Sequence, residues 1–281
     1  MRSNIILLMI FFIHFHVLSQ DISLMTYNIR YGLADDGENS WEYRKEFLAS
    51  QIKFYDPDII GTQEGLPFQM TFLDSQLTKH SFIGLSRDGD GKGEYSAIFY
   101  NTNKFKVIKH NTFWLSTTPE KISKGWDAAL PRICTYALFE NIESNIKFWV
   151  FNTHLDHIGK QARKQSVFLI LNKIENLNTN NYPVIFMGDF NDTPDKDPII
   201  KITTQMNDTK DNSIDKPFGP AGTFNAFQFD KSVTKRIDYI FLSKNNIFKV
   251  KKYAVLSDSK DLKYPSDHLP VYVELKINKN I

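Results

Sequence analysis

Hydrophobic residues recur along this chain at two spacings, one typical of strands and one typical of helices. Short apolar runs bounded by turn residues predict strands at 22–30, 58–64, 81–86, 96–101, 106–113, 132–140, 147–154, 183–189, 237–243, 248–256 and 269–277. Helical spacing predicts helices at 41–55, 67–78 and 159–177. Strands and helices alternate irregularly, without a repeat or a linker-like stretch. This order predicts one α/β domain with a large, mostly antiparallel sheet system.

The composition is that of an ordinary globular protein and narrows the range of functions. Of the 281 residues, 42% are hydrophobic and 23% are charged, which excludes a disordered, collagenous or coiled-coil chain. The net charge of +2 is too small for a protein that coats nucleic acid through many phosphate contacts. A single cysteine, Cys134, excludes an intramolecular disulfide and a zinc site built on several thiolates.

The first twenty residues differ from the rest of the chain. A positively charged start precedes an apolar run at 5–18, an order typical of a secretory signal peptide. We expect cleavage near Ser19 and Gln20, so that 1–19 form the signal peptide and 20–281 the mature domain, exported to the periplasm or the cell exterior.

An uncleaved membrane anchor is the alternative for this segment. It is disfavoured because His14 and His16 interrupt the apolar run, which is shorter than the roughly 20 residues that a spanning helix needs.

Several predicted strands end in a carboxylate, an amide or an imidazole. These residues are Asn28, Glu64, His154, Asp189 with Asn191, Asp238, and the pair Asp267 and His268. Taken singly, most are accounted for as turn, cap or solvated strand-end residues. Asp238 is harder to explain in this way, because an acid between aliphatic and aromatic residues would be buried and would need a partner or a metal. Together they supply oxygen ligands for a Mg²⁺-like ion and two imidazoles for acid–base chemistry.

Six short motifs contain these residues, and their order resembles that of a known superfamily. The motifs are Thr26-Tyr27-Asn28-Ile29-Arg30, Gln63-Glu64, Asn152-Thr153-His154-Leu155-Asp156-His157, Gly188-Asp189-Phe190-Asn191, Arg236-Ile237-Asp238-Tyr239 and Ser266-Asp267-His268-Leu269-Pro270. They are similar to the successive motifs of the endonuclease/exonuclease/phosphatase superfamily, which includes pancreatic-type deoxyribonuclease. The resemblance implies an α/β deoxyribonuclease-like fold, a four-layer sandwich of two packed, mostly antiparallel β-sheets flanked by helices, with the site at one edge.

The resemblance also implies roles for the matching residues. Glu64 resembles the principal Mg²⁺ ligand, with Asn28 and Asp267 as its helpers and Mn²⁺ as an alternative ion. Asp189 resembles the residue that orients or deprotonates the attacking water, and Asn191 resembles the residue that binds a phosphate oxygen.

Two imidazoles and a further carboxylate complete the implied catalytic set. His154 and His268 would flank the scissile phosphate and donate hydrogen bonds to its developing charge. Asp238 would orient His268 and fix its tautomer, as carboxylate–imidazole pairs do.

Three more residues are candidates for substrate binding: Arg132, Asn152 and Asp156. Arg132 opens a strand, where its guanidinium suits a phosphate; a salt-bridged strand start is the alternative. Asp156 either contacts the substrate or supports its loop. The acidic, glycine-rich segment 88–94 does not follow the spacing of an EF-hand calcium loop, and we expect a solvated hairpin there.

The substrate stays open, because members of this superfamily cleave nucleic acids, phospholipid headgroups and inositol phosphates with the same core. We favour an exported, Mg²⁺-dependent phosphodiesterase that hydrolyses a P–O bond by attack of water, with a nucleic acid or another diester as substrate. A phosphomonoesterase acting on a small sugar or nucleotide phosphate is the alternative. A non-catalytic binding module with the same fold ranks lower, because every motif position is filled. No obligate protein partner is implied, and we expect a monomer.

Overall fold

The computed structural model of the chain describes residues 21–89 and 91–278, which form two six-stranded sheets with helices on their outer faces. The strands are β1 (Asp21–Asn28), β2 (Ile59–Gln63), β3 (His80–Ile83), β4 (Ile98–Asn101), β5 (Phe105–Trp114), β6 (Ile133–Asn141), β7 (Lys147–His154), β8 (Val184–Asp189), β9 (Met206–Asp208), β10 (Asp238–Ser243), β11 (Phe248–Val255) and β12 (Val271–Ile277). The helices are α1 (Trp41–Tyr55), α2 (Pro67–Gln76), α3 (Lys160–Leu177) and α4 (Asp197–Gln205). The predicted signal peptide and its cleavage point lie outside the described residues.

The two sheets are built on the same plan. The strand order is β11-β12-β1-β2-β4-β3 in the first sheet and β5-β6-β7-β8-β10-β9 in the second. In each sheet one central pair is parallel, β1 with β2 and β7 with β8, and the other neighbours are antiparallel. A helix crosses over within each parallel pair, α1 in the first sheet and α3 in the second, as parallel strands require. The predicted α/β fold with two mostly antiparallel sheets is confirmed.

Three apolar interfaces separate the four layers. The interface between the sheets contains residues such as Leu24, Ile59, Val150, Ile185 and Val273. The first sheet packs its other face against α1 and α2, through residues such as Met25, Leu48, Ile52 and Leu73. The second sheet packs against α3 and α4, through residues such as Phe151, Val167, Ile170 and Ile202. Each sheet is therefore buried on both faces, and polar residues inside it need partners.

Helix α4 and strand β9 are absent from the sequence-based prediction. Helix α4 has nine residues, and Ile199 and Ile202 are buried one turn apart on its inner face. Its β-branched isoleucines and threonines have low helix propensity, so packing against the second sheet decides the local structure. Among the described residues, no helix is both long and apolar enough to cross a membrane.

The face of each central strand that meets the other sheet changes from apolar to polar towards the carboxyl end. Side chains two residues apart share a face of a strand. Along β7, Val150 in the inter-sheet core is followed on that face by Asn152 and His154, and along β8 Met187 is followed by Asp189. The apolar residues hold the sheets together, and the polar residues beyond them form the edge where a site can lie.

Asn152 connects the two sheets just beneath this edge. Its Nδ2 donates hydrogen bonds to the carbonyl oxygens of Thr62 at 2.9 Å and Ala97 at 2.8 Å, and its Oδ1 accepts one from Nε2 of Gln63 at 2.7 Å. A side chain at Gly61 would meet this amide, since a Cβ there would lie 2.7 Å from Oδ1 of Asn152. The sequence analysis assigned Asn152 to substrate binding. In the structure its side chain is fully buried between the sheets, where it connects them.

We expect Asn152→Ala to lower the free energy of unfolding by about 2–3 kcal/mol, because the variant removes three buried hydrogen bonds that connect the two sheets. Urea denaturation measures this change. Asn103→Ala is the matched control, since Asn103 is exposed, and its effect should stay below about 0.5 kcal/mol. Equal losses in both variants would contradict the bridging role.

Candidate active site

The carboxyl ends of the two parallel strand pairs open into one cleft of about 330 Å³. The last paired residues are Asn28 beside Gln63 in the first sheet and His154 beside Asp189 in the second. The cleft is lined by seven of the residues predicted from the sequence: Glu64, Arg132, His154, Asp189, Asn191, Asp267 and His268. Larger surface cavities of about 890 and 550 Å³ contain none of the predicted residues, so the chemistry of the lining, and not its size, marks this cleft.

Three residues at this edge have left-handed backbone conformations that are unusual for residues other than glycine. The φ angles are 63° at Arg30, 65° at Glu64 and 50° at Asn191, each just after a parallel strand ends. Asparagine tolerates this region, whereas for Arg30 and Glu64 it costs on the order of 1 kcal/mol. A 2.6 Å hydrogen bond from the backbone N–H of Tyr31 to Oε2 of Glu64 helps to hold the strained loop.

Asn28 holds two of the cleft carboxylates from below. Its Nδ2 donates to Oε1 of Glu64 at 2.9 Å and to Oδ2 of Asp189 at 3.0 Å, so a single amide connects the first sheet to the second. Its Oδ1 accepts the backbone N–H of Arg30 at 3.0 Å. In this orientation, which follows from the hydrogen-bond network, the amide nitrogen contacts both carboxylates and the amide oxygen accepts a backbone N–H. Asn28 positions the two carboxylates and does not line the cleft, and its role as a helper of the metal ligand stays a prediction.

Glu64 and Asp267 are the cleft carboxylates best suited to a hard divalent cation. Burial raises the pKa of Asp267, the neighbouring His268 opposes this effect, and the Glu64 carboxylate raises the pKa further. The guanidinium of Arg30 lies 3.6 Å from Oδ2 of Asp267, but it is shared with Asp36, which lies closer at 2.7 Å. Carboxylate oxygens are the ligands that Mg²⁺ prefers, so the donor set fits such an ion.

A second group of donor atoms lies alongside. One ligand atom from each of Asp189, Asp238 and His268 falls within 4.8 Å of the others, which is a spacing that a metal ion can bridge. None of these three is a metal ligand in the sequence-based assignment. Nδ1 of His268 already donates to Oδ2 of Asp238 at 2.9 Å, so this carboxylate–imidazole pair is arranged for proton chemistry.

The surroundings of His268 favour its charged form. Burial alone would lower the pKa of the imidazole, but the carboxylates of Asp238 and Asp189 outweigh it and raise the pKa. Nε2 of His268 lies 3.8 Å from Oδ2 of Asp189. Burial and the neighbouring Asp238 raise the pKa of Asp189 in turn. The ring of Phe224 packs edge-on against the imidazole, with the ring centres 5.1 Å apart, and fixes its plane.

His154 is in the opposite electrostatic situation. Burial lowers its pKa well below the usual range, and the guanidinium of Arg132 lowers it further. Nδ1 lies 3.1 Å from Nη1 of Arg132, and Nε2 lies 3.1 Å from Nδ2 of Asn191 and 3.5 Å from Oδ2 of Asp189. His154 is thus kept neutral and His268 cationic, a separation typical of acid–base pairs with different roles.

Arg132 fits both alternatives derived from its sequence position, a phosphate contact and a salt-bridged strand start. It lines the cleft, and its Nε lies 3.3 Å from Oδ2 of Asp156 in a buried ion pair. Its Nη2 lies 2.9 Å from Nδ1 of His157, the third imidazole that lines the cleft. The guanidinium is thereby fixed beside His154, where a phosphate oxygen would need it.

Asp156 supports the loop and does not line the cleft. Its carboxylate accepts the backbone N–H groups of Gly159 at 2.7 Å, Ile158 at 3.0 Å and Ala129 at 3.1 Å. Burial opposes ionisation, but these hydrogen bonds and Arg132 outweigh it and lower the pKa of Asp156 to about 2.

The structure also brings into the cleft seven residues outside the predicted set of site residues, although three of them, Arg30, His157 and Ile237, belong to the matched motifs. They are Arg30, Glu94, Leu130, His157, Phe224, Lys235 and Ile237. Glu94 was assigned to a solvated hairpin at 88–94, of which Asp90 lies outside the described residues. The turn is present, with left-handed glycines at 89, 91 and 93, but it pairs Arg87 with Glu94 and buries both. The three glycines predict a tight hairpin, but they carry no signal for burial of the charged pair at its base.

Comparison with known proteins agrees with this fold. The family model described as Endonuclease/Exonuclease/phosphatase family matches residues 25–268, most of the chain. A family member of known structure from Bacteroides thetaiotaomicron is 37% identical, with a TM-score of 0.88 over 93% of this chain and 100% of that one. A mannosyl-6-phosphatase from Bacteroides thetaiotaomicron VPI-5482 is 38% identical, with a TM-score of 0.86 over 90% of this chain and 99% of that one.

A curated relative from Saccharomyces cerevisiae, named as a probable RNA exonuclease, is 26% identical over 66% of this chain and 40% of its own length. The chain spans about half the length of the curated relatives that it matches. The four-layer fold and its cleft are those of a family of phosphoester hydrolases. The chain belongs to the endonuclease/exonuclease/phosphatase family.

Asp156→Asn should lower the melting temperature at pH 7 and have less effect in acid. An unfolded Asp has a pKa of about 3.9, above the value of about 2 in the folded chain. The stabilisation is therefore complete above about pH 4 and is lost as the pH falls through about 2. Thermal unfolding at pH 7 and at pH 3 tests this, with Asp74→Asn, an exposed carboxylate on α2, as control. A difference in melting temperature between Asp156→Asn and wild type that is the same at both pH values would contradict this prediction.

Proposed function

We propose that this protein is a Mg²⁺-dependent phosphomonoesterase that removes the phosphate of a sugar phosphate. The proposal rests on the charge of the cleft, where four cationic and four anionic side chains surround a volume of about 330 Å³, so that a bound divalent cation would make the cleft positive. The cationic side chains are those of Arg30, Arg132, Lys235 and His268, and the anionic ones are those of Glu64, Glu94, Asp189 and Asp267. A monoester presents a dianion, which needs more cationic partners in a small space than the monoanion of a diester does. The 38% identity to a mannosyl-6-phosphatase along nearly the whole of both chains supports a sugar as the leaving group.

Glu64 and Asp267 are the residues that would hold Mg²⁺, with Asn28 keeping Glu64 in place. When bound, the ion supplies positive charge to the non-bridging oxygens of the phosphate. Arg132 and Asn191 bind further phosphate oxygens and orient the ester for attack.

Hydrolysis then requires one water and two proton movements. Asp189 takes a proton from the water, whose oxygen forms a new bond to phosphorus while the bond from phosphorus to the sugar oxygen breaks. We assign His268 as the donor of the proton that the leaving oxygen needs, because its imidazolium is held between Asp238 and Asp189. His154, which is neutral, donates a hydrogen bond to the developing charge. The products are inorganic phosphate and the free sugar.

A phosphodiesterase is the second candidate, and it is the one that the sequence favoured. The relative named as an RNA exonuclease supports it, although this chain spans only 40% of that protein. The same water, carboxylate and imidazoles would act on a diester, so the substrate decides between the two.

Hydrolysis of mannose 6-phosphate, p-nitrophenyl phosphate and bis-(p-nitrophenyl) phosphate tests the proposal. Each is measured with Mg²⁺, with Mn²⁺ and with EDTA, and Asp189→Ala serves as the blank. Metal-dependent cleavage of the monoesters supports the phosphomonoesterase. Cleavage of the diester alone would replace it by the phosphodiesterase. Inactivity on all three, together with no Mg²⁺ or Mn²⁺ binding by calorimetry, would favour the non-catalytic binding module.

We also propose that the enzyme acts after export, in the periplasm or outside the cell. The charged start and the apolar run at 5–18 support this. Expression of the full chain, fractionation of the cells and amino-terminal sequencing test it. A product that begins near Gln20 outside the cytoplasm is expected, and a full-length product inside the cytoplasm would contradict export.

We expect Asp189→Asn and His268→Ala each to lower kcat by about 10²–10³-fold, because each removes a group that acts on the reacting atoms. Steady-state kinetics measures the loss, and circular dichroism checks that both variants fold. His110→Ala is the control, since His110 is exposed on β5 and should keep wild-type turnover. Turnover within tenfold of wild type in either site variant would overturn these roles.

Glu64→Gln should weaken Mg²⁺ binding, because it replaces a charged oxygen ligand by an amide. Calorimetric titration with Mg²⁺ should give at least a tenfold weaker dissociation constant than wild type. Glu42→Gln, an exposed carboxylate on α1, is the control. Unchanged binding in Glu64→Gln, with loss in Asp238→Asn instead, would move the metal to the group formed by Asp189, Asp238 and His268.

A further inference from the structure

A small recess adjoins the cleft and shares Glu94, Arg132 and His154 with it. Its volume is about 10 Å³, close to that of one water-sized oxygen. Arg87 contributes to its lining as well. None of the roles assigned above uses Arg87 or Glu94, although both side chains are buried and charged.

Glu94 presents a free acceptor at this recess. Its Oε1 lies 2.8 Å from Nη2 of Arg87 in an ion pair. Its Oε2 lies 4.0 Å from Nδ1 of His154, which is too far for a hydrogen bond. Nδ1 of His154 is already approached by Arg132 at 3.1 Å, so Glu94 does not orient this imidazole directly. Glu94 also lines the cleft, so its Oε2 can accept a hydrogen bond from a ligand bound there.

Arg87 presents free donors at the same place. The residue is only 9% exposed, and its Nε and Nη1 have no hydrogen-bond partner within the described part of the chain. Its backbone is fixed on both sides: its N–H donates to the carbonyl of Glu94 at 2.9 Å, and its carbonyl accepts from Nε1 of Trp114 at 2.8 Å. The backbone contacts fix the position of Arg87, and its ion pair with Glu94 uses only Nη2, so the N–H groups of Nε and Nη1 are left without a hydrogen-bond partner among the described residues.

We infer that the recess binds one hydroxyl group of the sugar whose phosphate lies in the cleft; this inference rests on the proposed function. A hydroxyl both donates and accepts, so it pairs with Oε2 of Glu94 and with a free N–H of Arg87 at once. A second phosphate does not fit, because the recess holds about one oxygen and the Glu94 carboxylate repels an anion. The hydroxyl subsite would thus select sugar phosphates against simple alkyl and aryl phosphates.

Kinetics with the monodeoxy analogues of mannose 6-phosphate tests the subsite. In the wild-type enzyme, removal of the bound hydroxyl should lower kcat/KM by about 10–100-fold, as expected for a lost hydrogen bond to a charged group. The Glu94→Gln substitution should lower kcat/KM for mannose 6-phosphate by a similar factor. It should lower kcat/KM for the same deoxy analogue very little, because the hydroxyl that Glu94 binds is already missing. The ratio of kcat/KM for mannose 6-phosphate to that for p-nitrophenyl phosphate should fall about tenfold in this variant.

Two further variants separate the subsite from a structural role. Arg87→Gln with Glu94→Gln removes both charges, so no unpaired charge is buried, and it should show the same change of ratio in a folded protein. Asp88→Asn is the matched control: its carboxylate lies 3.8 Å from Nε of Arg87 but does not line the recess, and wild-type selectivity is expected.

The outcomes distinguish this inference from the proposed function. If the wild-type enzyme cleaves every deoxy analogue with the same kcat/KM as mannose 6-phosphate, the hydroxyl subsite is overturned. It is also overturned if Glu94→Gln lowers kcat/KM equally for sugar and aryl phosphates. Either result would leave the phosphomonoesterase intact. A wild-type enzyme that hydrolyses p-nitrophenyl phosphate or the diester but no sugar phosphate would overturn the sugar substrate and the subsite together.

Discussion

Buried amide side chains join the two sheets where their parallel strands end, and the spacing of the catalytic carboxylates depends on them. Asn152 and Gln63 hydrogen-bond across the interface, and Asn28 reaches from the first sheet to Glu64 and Asp189. Hydrogen bonds in this poorly hydrated interior are strong, and a missing partner is costly. The sheets therefore have little freedom to slide, and a residue from each of them can share one cleft.

The same low polarity sets the protonation states. Eight charged groups line a cleft of about 330 Å³, and the neighbours of His154 and His268 set the protonation states of these two imidazoles. Asp238 and Asp189 favour the cation at His268, whereas Arg132 and burial favour the neutral ring at His154. Two residues of one type thus acquire different functions from their positions, and the backbone strain at Arg30 and Glu64 is tolerated because it places charged groups at the edge.

Much of the fold could be predicted because its signals are local. The strands of both parallel pairs and the helices α1, α2 and α3 follow from apolar spacing, with boundaries displaced by a few residues. Helix α4 could not be predicted, because its β-branched sequence disfavours a helix and only burial of Ile199 and Ile202 against the second sheet stabilises it. The two sheets share a strand plan, but the sequence shows no repeat, because strands with different residues can occupy equivalent places in a sheet when their apolar pattern is similar.

The sequence by itself determined the layered α/β architecture and the chemical types at the strand ends, because alternation of apolar residues and ordered motifs are written along the chain. It could not separate residues that face the cleft from those one layer below. Asn28, Asn152 and Asp156 lie beneath the cleft as supports, while Glu94 and Lys235 line it. That distinction depends on how two sheets, distant in sequence, meet at one edge. Only the tertiary structure decides it, because burial and hydrogen-bond partners arise between segments that the chain order does not bring together.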